Sequence, residues 1–325
     1  MYNFKLFCEK SSGKIYFLFH KFLLGGEILK IVSGPSSPGL AQKISEALNA
    51  PLVKVKTKRF PDGEFYFKFE EDISGENLLI IQSLCPPQDI HLMELFLILH
   101  TARDLGAETI KVFAPYLAYS RQDERFLEGE CLSAAMIAEI IESLGADALY
   151  TIDIHNENVL KMYKIPVYNL TASGELAKYF AKKSLKDPII VAPDDEDLAK
   201  RRAKHAAKVL DAEWDALEKR RDRYTGEIIT FPKDLRVRGR DAIVIDDIIS
   251  TGRTAANAVK ILREQGAKRV FVGASHVLLL RDSIRVIVES GAEEVVGTDS
   301  IENEYAKVSV APTFVKALKG EIEQI

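Results

Sequence analysis

The stretch Ala242 to Thr254 (AIVIDDIISTGRT) restricts the fold more than any other part of the chain. Ala242-Ile243-Val244-Ile245 is short, continuous and apolar, as a strand buried in a parallel sheet must be. Ala255 to Leu262 has helical spacing, so the residues between form a loop that joins a buried strand to the start of a helix. That arrangement aims backbone N–H groups and a positive helix end at an anion. Ser250, Thr251 and Thr254 offer hydroxyls, Gly252 lets the backbone approach a phosphate, and Asp246 and Asp247 stand where carboxylates accept from vicinal sugar hydroxyls. A ribose 5-phosphate satisfies both halves. The plainer reading makes Asp-Asp a solvated strand end and Ser-Thr-Gly a turn, but all these features together after one buried strand argue against it.

The rest of the chain repeats this alternation. Strands are expected at Leu29–Val32, Leu78–Ile81, Ile110–Ala114 and Ala148–Ile152, with helices at Leu40–Leu48, Leu92–Leu105 and Ser133–Leu144. A second series follows: strands at Pro188–Ala192, Ala242–Ile245, Val270–Ala274 and Glu294–Gly297, with helices at Asp197–Leu210, Thr254–Gln265 and Ser283–Ser290. Strand and helix in strict turn predict an α/β protein with mainly parallel, doubly wound sheets covered on both faces. With 325 residues, 47% of them hydrophobic, the chain can build two such domains. The expected boundary lies near Lys164 to Leu170, giving an N-terminal domain over 29–166 and a C-terminal domain over 167–325.

Charge and cysteine usage exclude other classes. A net charge of −4 leaves no basic excess for nucleic acid, and no apolar run approaches the roughly 18 residues of a membrane helix. Cys8, Cys85 and Cys131 are odd in number and far apart, which suits a reducing cytoplasm and shows no metal-site spacing. Residues 1–28 stand outside the pattern. Ile15–Leu24 is apolar but interrupted by His20 and Lys21, so an exported leader is not expected. Gly25-Gly26-Glu27 is compatible with a purine-rich ribosome-binding site ahead of a start at Leu29, in which case the extension is not translated.

Other polar stretches fall at strand ends. Lys58 to Glu64 contains Pro61-Asp62-Gly63, by itself an ordinary turn. Tyr116 to Asp123 (YLAYSRQD) offers aromatic faces for a base and polar heads for phosphates. His155 follows the strand ending at Ile152, on the side of a sheet where ligands bind, although a lone histidine is usually structural.

Taken in order, FPDGE, YxxYSRQDxRF, GExxSA, DIH and DDIISTGRT resemble the motifs of the ribose-phosphate pyrophosphokinases, a family with the phosphoribosyltransferase-type fold; the likeness runs from about Leu29 to Pro312. The resemblance implies transfer of the β,γ-diphosphoryl group of ATP to the C1 hydroxyl of ribose 5-phosphate, with Mg2+ as cofactor. It places ATP on Arg121 and Gln122 and on Asp62, Gly63 and Glu64 of a neighbouring subunit, and therefore implies a homo-oligomer. Ribose 5-phosphate falls to Arg221, Asp246, Asp247, Ser250, Thr251, Gly252, Arg253 and Thr254, magnesium to His155, and catalysis to Lys219 and Arg221 of a mobile basic loop. Without the family, that loop reads as a solvated charge run. Three positions depart from the family pattern: Arg253 replaces a small residue, Pro193-Asp194-Asp195-Glu196 carries an acid in place of glycine, and Tyr168-Asn169 stand where many members have an aspartate metal ligand. Two rival readings are a phosphoribosyltransferase, which consumes the product, and a non-catalytic homologue that binds a true synthetase.

Overall fold

A computed structural model describes residues 29–125, 127–221, 228–231 and 235–321 of the chain; residues 1–28 lie outside them. The first half contains β1 (Leu29–Ser33), α1 (Pro38–Leu48), β2 (Val55–Arg59), β3 (Phe65–Phe69), β4 (Asn77–Ile81), α2 (Gln88–Asp104), β5 (Thr109–Phe113), α3 (Ser133–Ser143), β6 (Ala148–Ile152), a 3-10 turn at Glu157–Met162 and β7 (Val167–Leu170). The second contains α4 (Ser173–Ala181), β8 (Ile189–Ala192), α5 (Asp197–Leu210), β9 (Glu213–Ala216), β10 (Glu218–Arg221), β11 (Ile228–Phe231), β12 (Asp241–Ile249), α6 (Arg253–Glu264), β13 (Arg269–Val277), α7 (Ser283–Glu289), β14 (Glu294–Thr298), β15 (Ala306–Val308) and α8 (Ala311–Leu318).

Two all-parallel sheets result, in the orders β1-β4-β5-β6-β7 and β15-β14-β13-β12-β8-β9. Both faces of each are covered by helices, so inner strands carry continuous apolar runs; β4 and β8 bury Leu78–Ile81 and Ile189–Ala192 without a break. In the second sheet the strand order reverses between β8 and β12, which opens a crevice beyond their carboxyl ends. Antiparallel hairpins β2–β3 and β10–β11 stand apart from the sheets.

The structure moves three expected boundaries. β12 does not stop at Ile245: Asp246, Asp247, Ile248 and Ile249 continue the strand, Asp246 paired with Ala274 and Ile248 with His276 of β13. Both acids are buried; His155 and Arg202 from facing elements meet Asp247, and the Asp247 N–H donates to Asp246 Oδ1 at 2.9 Å. β7, expected beyond the domain boundary at residue 166, pairs with β6 in the first sheet, Leu149 opposite Val167 and Ile152 opposite Leu170. The C-terminal helix α8 also returns to the first sheet. There Phe314 stacks on Phe113 with centroids 4.1 Å apart and meets Tyr150 edge-on at 5.3 Å, in a core shared with Ile31, Leu40 and Ile44.

Candidate active site

The loop after β12 enters α6 through Gly252, whose φ of +78° lies in the left-handed region. A β-carbon at this position would come within 2.3 Å of the Ser283 carbonyl oxygen, so packing against α7 as well as conformation requires glycine. No side chain caps α6 and its first turn carries no acid. The N–H groups there are available to an anion. A cavity of about 280 Å³ lies over this helix start, lined by Ser250 to Ala255, by Asp246 to Ile249, by Asp194, Glu196 and Arg202, and by Arg121 and His155 from the first domain. It therefore collects every residue expected to hold the sugar phosphate except Arg221. Arg253, the departure from a small residue, is the first residue of α6 and exposed. In Pro193-Asp194-Asp195-Glu196, where an acid replaces glycine, Glu196 adopts an extended conformation with φ of −66°, and its N–H donates to Asp194 Oδ1 at 3.1 Å. This turn needs no glycine.

A second cavity of about 450 Å³ shares Arg121, His155, Asp247 and Ile248 with the first and extends past Tyr116, Tyr119 and Gln122 to Gln88 and Asp89 at the start of α2. Local hydrogen bonds fix this wall. Ser133 Oγ donates to Gln122 Oε1 at 2.7 Å, Asn156 Nδ2 to Asp123 Oδ2 at 2.6 Å, and the Tyr119 hydroxyl to Asp89. Tyr119 has φ of +63°. Burial raises the Tyr116 hydroxyl above its ordinary pKa, so the phenol stays protonated.

Where the two cavities meet, the domains are joined by side chains. His155 Nδ1 lies 3.0 Å from Asp247 Oδ2, and Arg202 Nη2 lies 3.5 Å from Asp247 Oδ1. Ser275 Oγ donates to Asp153 Oδ2, and His276 Nε2 sits 2.9 Å from the Ile152 carbonyl oxygen. Burial acts to raise both acids at the end of β12, but with opposite outcomes. The Arg202 charge and the His155 hydrogen bond hold Asp247 well below the usual carboxylate range, whereas burial and the Asp247 charge lift Asp246. Asn169, at the position of the expected aspartate ligand, accepts from the Ile154 N–H at 2.9 Å and so supports the turn that carries His155.

Among the described residues no three His, Cys, Asp or Glu side chains are grouped to enclose a metal ion. His155 nevertheless has the right donor chemistry, because an imidazole whose Nδ1 proton goes to an ionised carboxylate keeps the Nε2 lone pair for a cation.

The structure does not bring every expected residue to the cleft. Asp62, Gly63 and Glu64 form the exposed tip of the β2–β3 hairpin and line neither cavity. The tip is preset: Gly63 has φ of +96°, the Glu64 N–H donates to Asp62 Oδ1 at 3.2 Å, and Arg59 donates to the Gly63 carbonyl at 3.1 Å while pairing with buried Glu94. Lys219 and Arg221 occupy strand positions opposite Thr230 and Ile228 in the β10–β11 hairpin; their side chains lie outside what is described. Asp194 and Arg202 line the cleft but were not anticipated. Asp194 follows β8 at the strand-order reversal, a placement readable from sequence. Arg202 was hidden in the charge run Lys200-Arg201-Arg202, although its spacing from Ala199 and Ala206 assigns it to the apolar face of α5.

Comparison with known proteins gives a consistent result. A family model described as the N-terminal domain of ribose phosphate pyrophosphokinase matches residues 29–145, and one described as a phosphoribosyl synthetase-associated domain matches residues 231–317. The ribose-phosphate pyrophosphokinase of Sulfurisphaera tokodaii is 42% identical over 281 residues, covering 86% of this chain and 96% of that protein. The one from Methanothermobacter thermautotrophicus is 37% identical over 290 residues, 89% and 99% of the two chains. A crystal structure of phosphoribosylpyrophosphate synthetase from Mycobacterium smegmatis superposes with a TM-score of 0.77 at 26% identity, over 90% of this chain and 98% of that one.

Proposed function

The chain belongs to the ribose-phosphate pyrophosphokinase family, and on that premise we propose that ribose 5-phosphate lies over the start of α6 and ATP in the adjoining cavity past Tyr116 and Gln122. Its reaction is that of the family: the β,γ-diphosphoryl group of ATP passes to the C1 hydroxyl of ribose 5-phosphate, giving 5-phosphoribosyl 1-diphosphate and AMP. The observation that carries the assignment of sites is the continuity of the two cavities, which share Arg121, His155 and Asp247. A donor phosphate and an acceptor sugar can then meet at one point.

The 5-phosphate would take the free N–H groups of α6 and the hydroxyls of Ser250, Thr251 and Thr254, while Asp246 accepts from ribose hydroxyls. Arg121 and Gln122 would hold the nucleotide. Positioning and charge neutralisation supply most of the rate in such a transfer; the chain offers Arg121 in the cleft, and Lys219 and Arg221 of the β10–β11 hairpin would add charge on closing over it. Asp62, Gly63 and Glu64 would reach the ATP of a neighbouring subunit. His155 would hold magnesium together with substrate phosphates, since this ion keeps few protein ligands. When bound, the ion would neutralise charge on the transferred group. No described helix is long and apolar enough to cross a membrane, and the reaction belongs in the cytoplasm, where its substrates are made.

Release of AMP from ATP plus ribose 5-phosphate tests the activity, and Asp246→Ala tests the sugar site. The variant should raise the KM for ribose 5-phosphate at least tenfold, the scale of a lost hydrogen bond to a charged group, with the KM for ATP nearly unchanged. An unaltered ribose 5-phosphate saturation curve would remove Asp246 from the site.

A further inference from the structure

Asp247 and Arg202 have an arrangement that sugar binding does not explain. Asp247 is 5% exposed, and each of its oxygens already faces a cation or a donor: Oδ2 the His155 ring at 3.0 Å, Oδ1 the Arg202 guanidinium at 3.5 Å. Arg202 is 6% exposed, and among the described residues its Nε has no hydrogen-bond partner. A buried donor without an acceptor is costly. The apolar face of α5 is otherwise made of Ala199, Ala203, Ala206 and Ala207, so a small residue at 202 would continue the face without that cost. A buried ion pair adds little net stability over well-packed apolar residues. The guanidinium is therefore better explained by what it does to Asp247.

We propose that Asp247 and Arg202 are positioning residues for His155 and not ligands of the sugar: Arg202 holds the Asp247 carboxylate, which accepts from Nδ1–H of His155 and leaves Nε2 to a divalent cation in the cleft. Metal-binding imidazoles are commonly oriented in this way by a carboxylate on the second ring nitrogen. His155 comes from the turn after β6 in the first domain, and Asp247 and Arg202 from β12 and α5 in the second. The contact therefore places the cation site relative to the phosphate loop as well as fixing the ring. Asp246, one residue earlier on β12 and beside the same cavity, remains the acid available to ribose hydroxyls. The proposal rests on the reading of His155 as the magnesium-binding residue.

The test uses the full-length enzyme labelled with [15N]histidine, with metal removed, and long-range 1H–15N correlation spectra assigned through His155→Ala. In the unaltered enzyme His155 should be the Nδ1–H tautomer. In Asp247→Asn and Arg202→Met it should move toward Nε2–H, the form free imidazoles favour. Mn2+ binding, followed by the electron paramagnetic resonance of the free ion, should weaken about 10- to 100-fold in both variants. Arg202→Lys keeps the charge and should restore most of the affinity, which a purely packing role would not predict. It also serves as the probe should Arg202→Met fail to fold. If Asp247→Asn leaves tautomer and Mn2+ affinity unchanged and instead raises the KM for ribose 5-phosphate, Asp247 is a sugar ligand and the proposal is wrong. Should His155→Ala itself bind Mn2+ normally, the underlying assignment of His155 falls as well; weakened binding there alone overturns only the roles of Asp247 and Arg202.

Discussion

At the scale of single residues, Gly252 shows how narrow the requirement of the phosphate loop is. Alanine would have to keep a left-handed φ and also place its methyl group 2.3 Å from the backbone oxygen of Ser283, where no flexible side chain can give way. The loop or the start of α7 must shift. Gly252→Ala is expected to cost roughly 1–3 kcal/mol of stability from backbone strain alone, and to abolish protection of the fold by ribose 5-phosphate in thermal melts. A variant that melts normally and still gains stability from the ligand would show that the loop tolerates a β-carbon. Gly252 and its hydroxyl neighbours were evident in the sequence because their residue types are diagnostic. Arg202 was not, since what a buried arginine in a basic run meets depends on how α5 packs against β12, a contact between distant segments.

The elements themselves were mostly legible, because period-2 and period-3.6 patterns report burial directly. They failed where polar residues are buried or where pairing is non-local. Asp246 and Asp247 made β12 look as though it ended at Ile245, but His155 and Arg202, far away in sequence, allow the strand to run on to Ile249. The expected elements also omitted β2, β7, β9, the β10–β11 hairpin and β15, strands of three to five residues each, and the helices α4 and α8. In that hairpin, positions 219 and 221 share one face of the strand and position 220 belongs to the other. If the hairpin closes over the transferred group, Lys219→Ala and Arg221→Ala should each lower kcat by about 100- to 1000-fold, as removal of a preorganised charge donor does. KM for ATP should change little, because the contact is made mainly in the transition state. Arg220→Ala is the internal control. Equal and modest losses in all three variants would reduce the stretch to a general electrostatic attractor.

At the scale of the whole molecule, the two domains are tied together, while three of the residues proposed for ATP lie away from the cleft. Leu40 N–H donates to Glu302 at 2.7 Å, Ser83 Oγ to the Ser300 carbonyl at 2.6 Å, and Lys43 pairs with Asp299 at 2.8 Å. With α8 packed back onto the first sheet, these contacts hold the sheets in register across the cleft. The hairpin tip Asp62-Gly63-Glu64, braced by Arg59 against Glu94, nevertheless lines neither cavity of its own chain. A rigid, preset tip outside its own cleft is what a site shared between subunits requires, and a closed two-fold assembly would complete both sites at once. Specific activity should therefore fall on dilution through the range in which light scattering shows dissociation. Glu64→Ala mixed with the catalytically impaired Lys219→Ala should regain activity as subunits exchange, because one kind of mixed site carries neither substitution. A monomer with full specific activity, or a mixture no more active than the sum of its parts, would show instead that each chain completes its own ATP site.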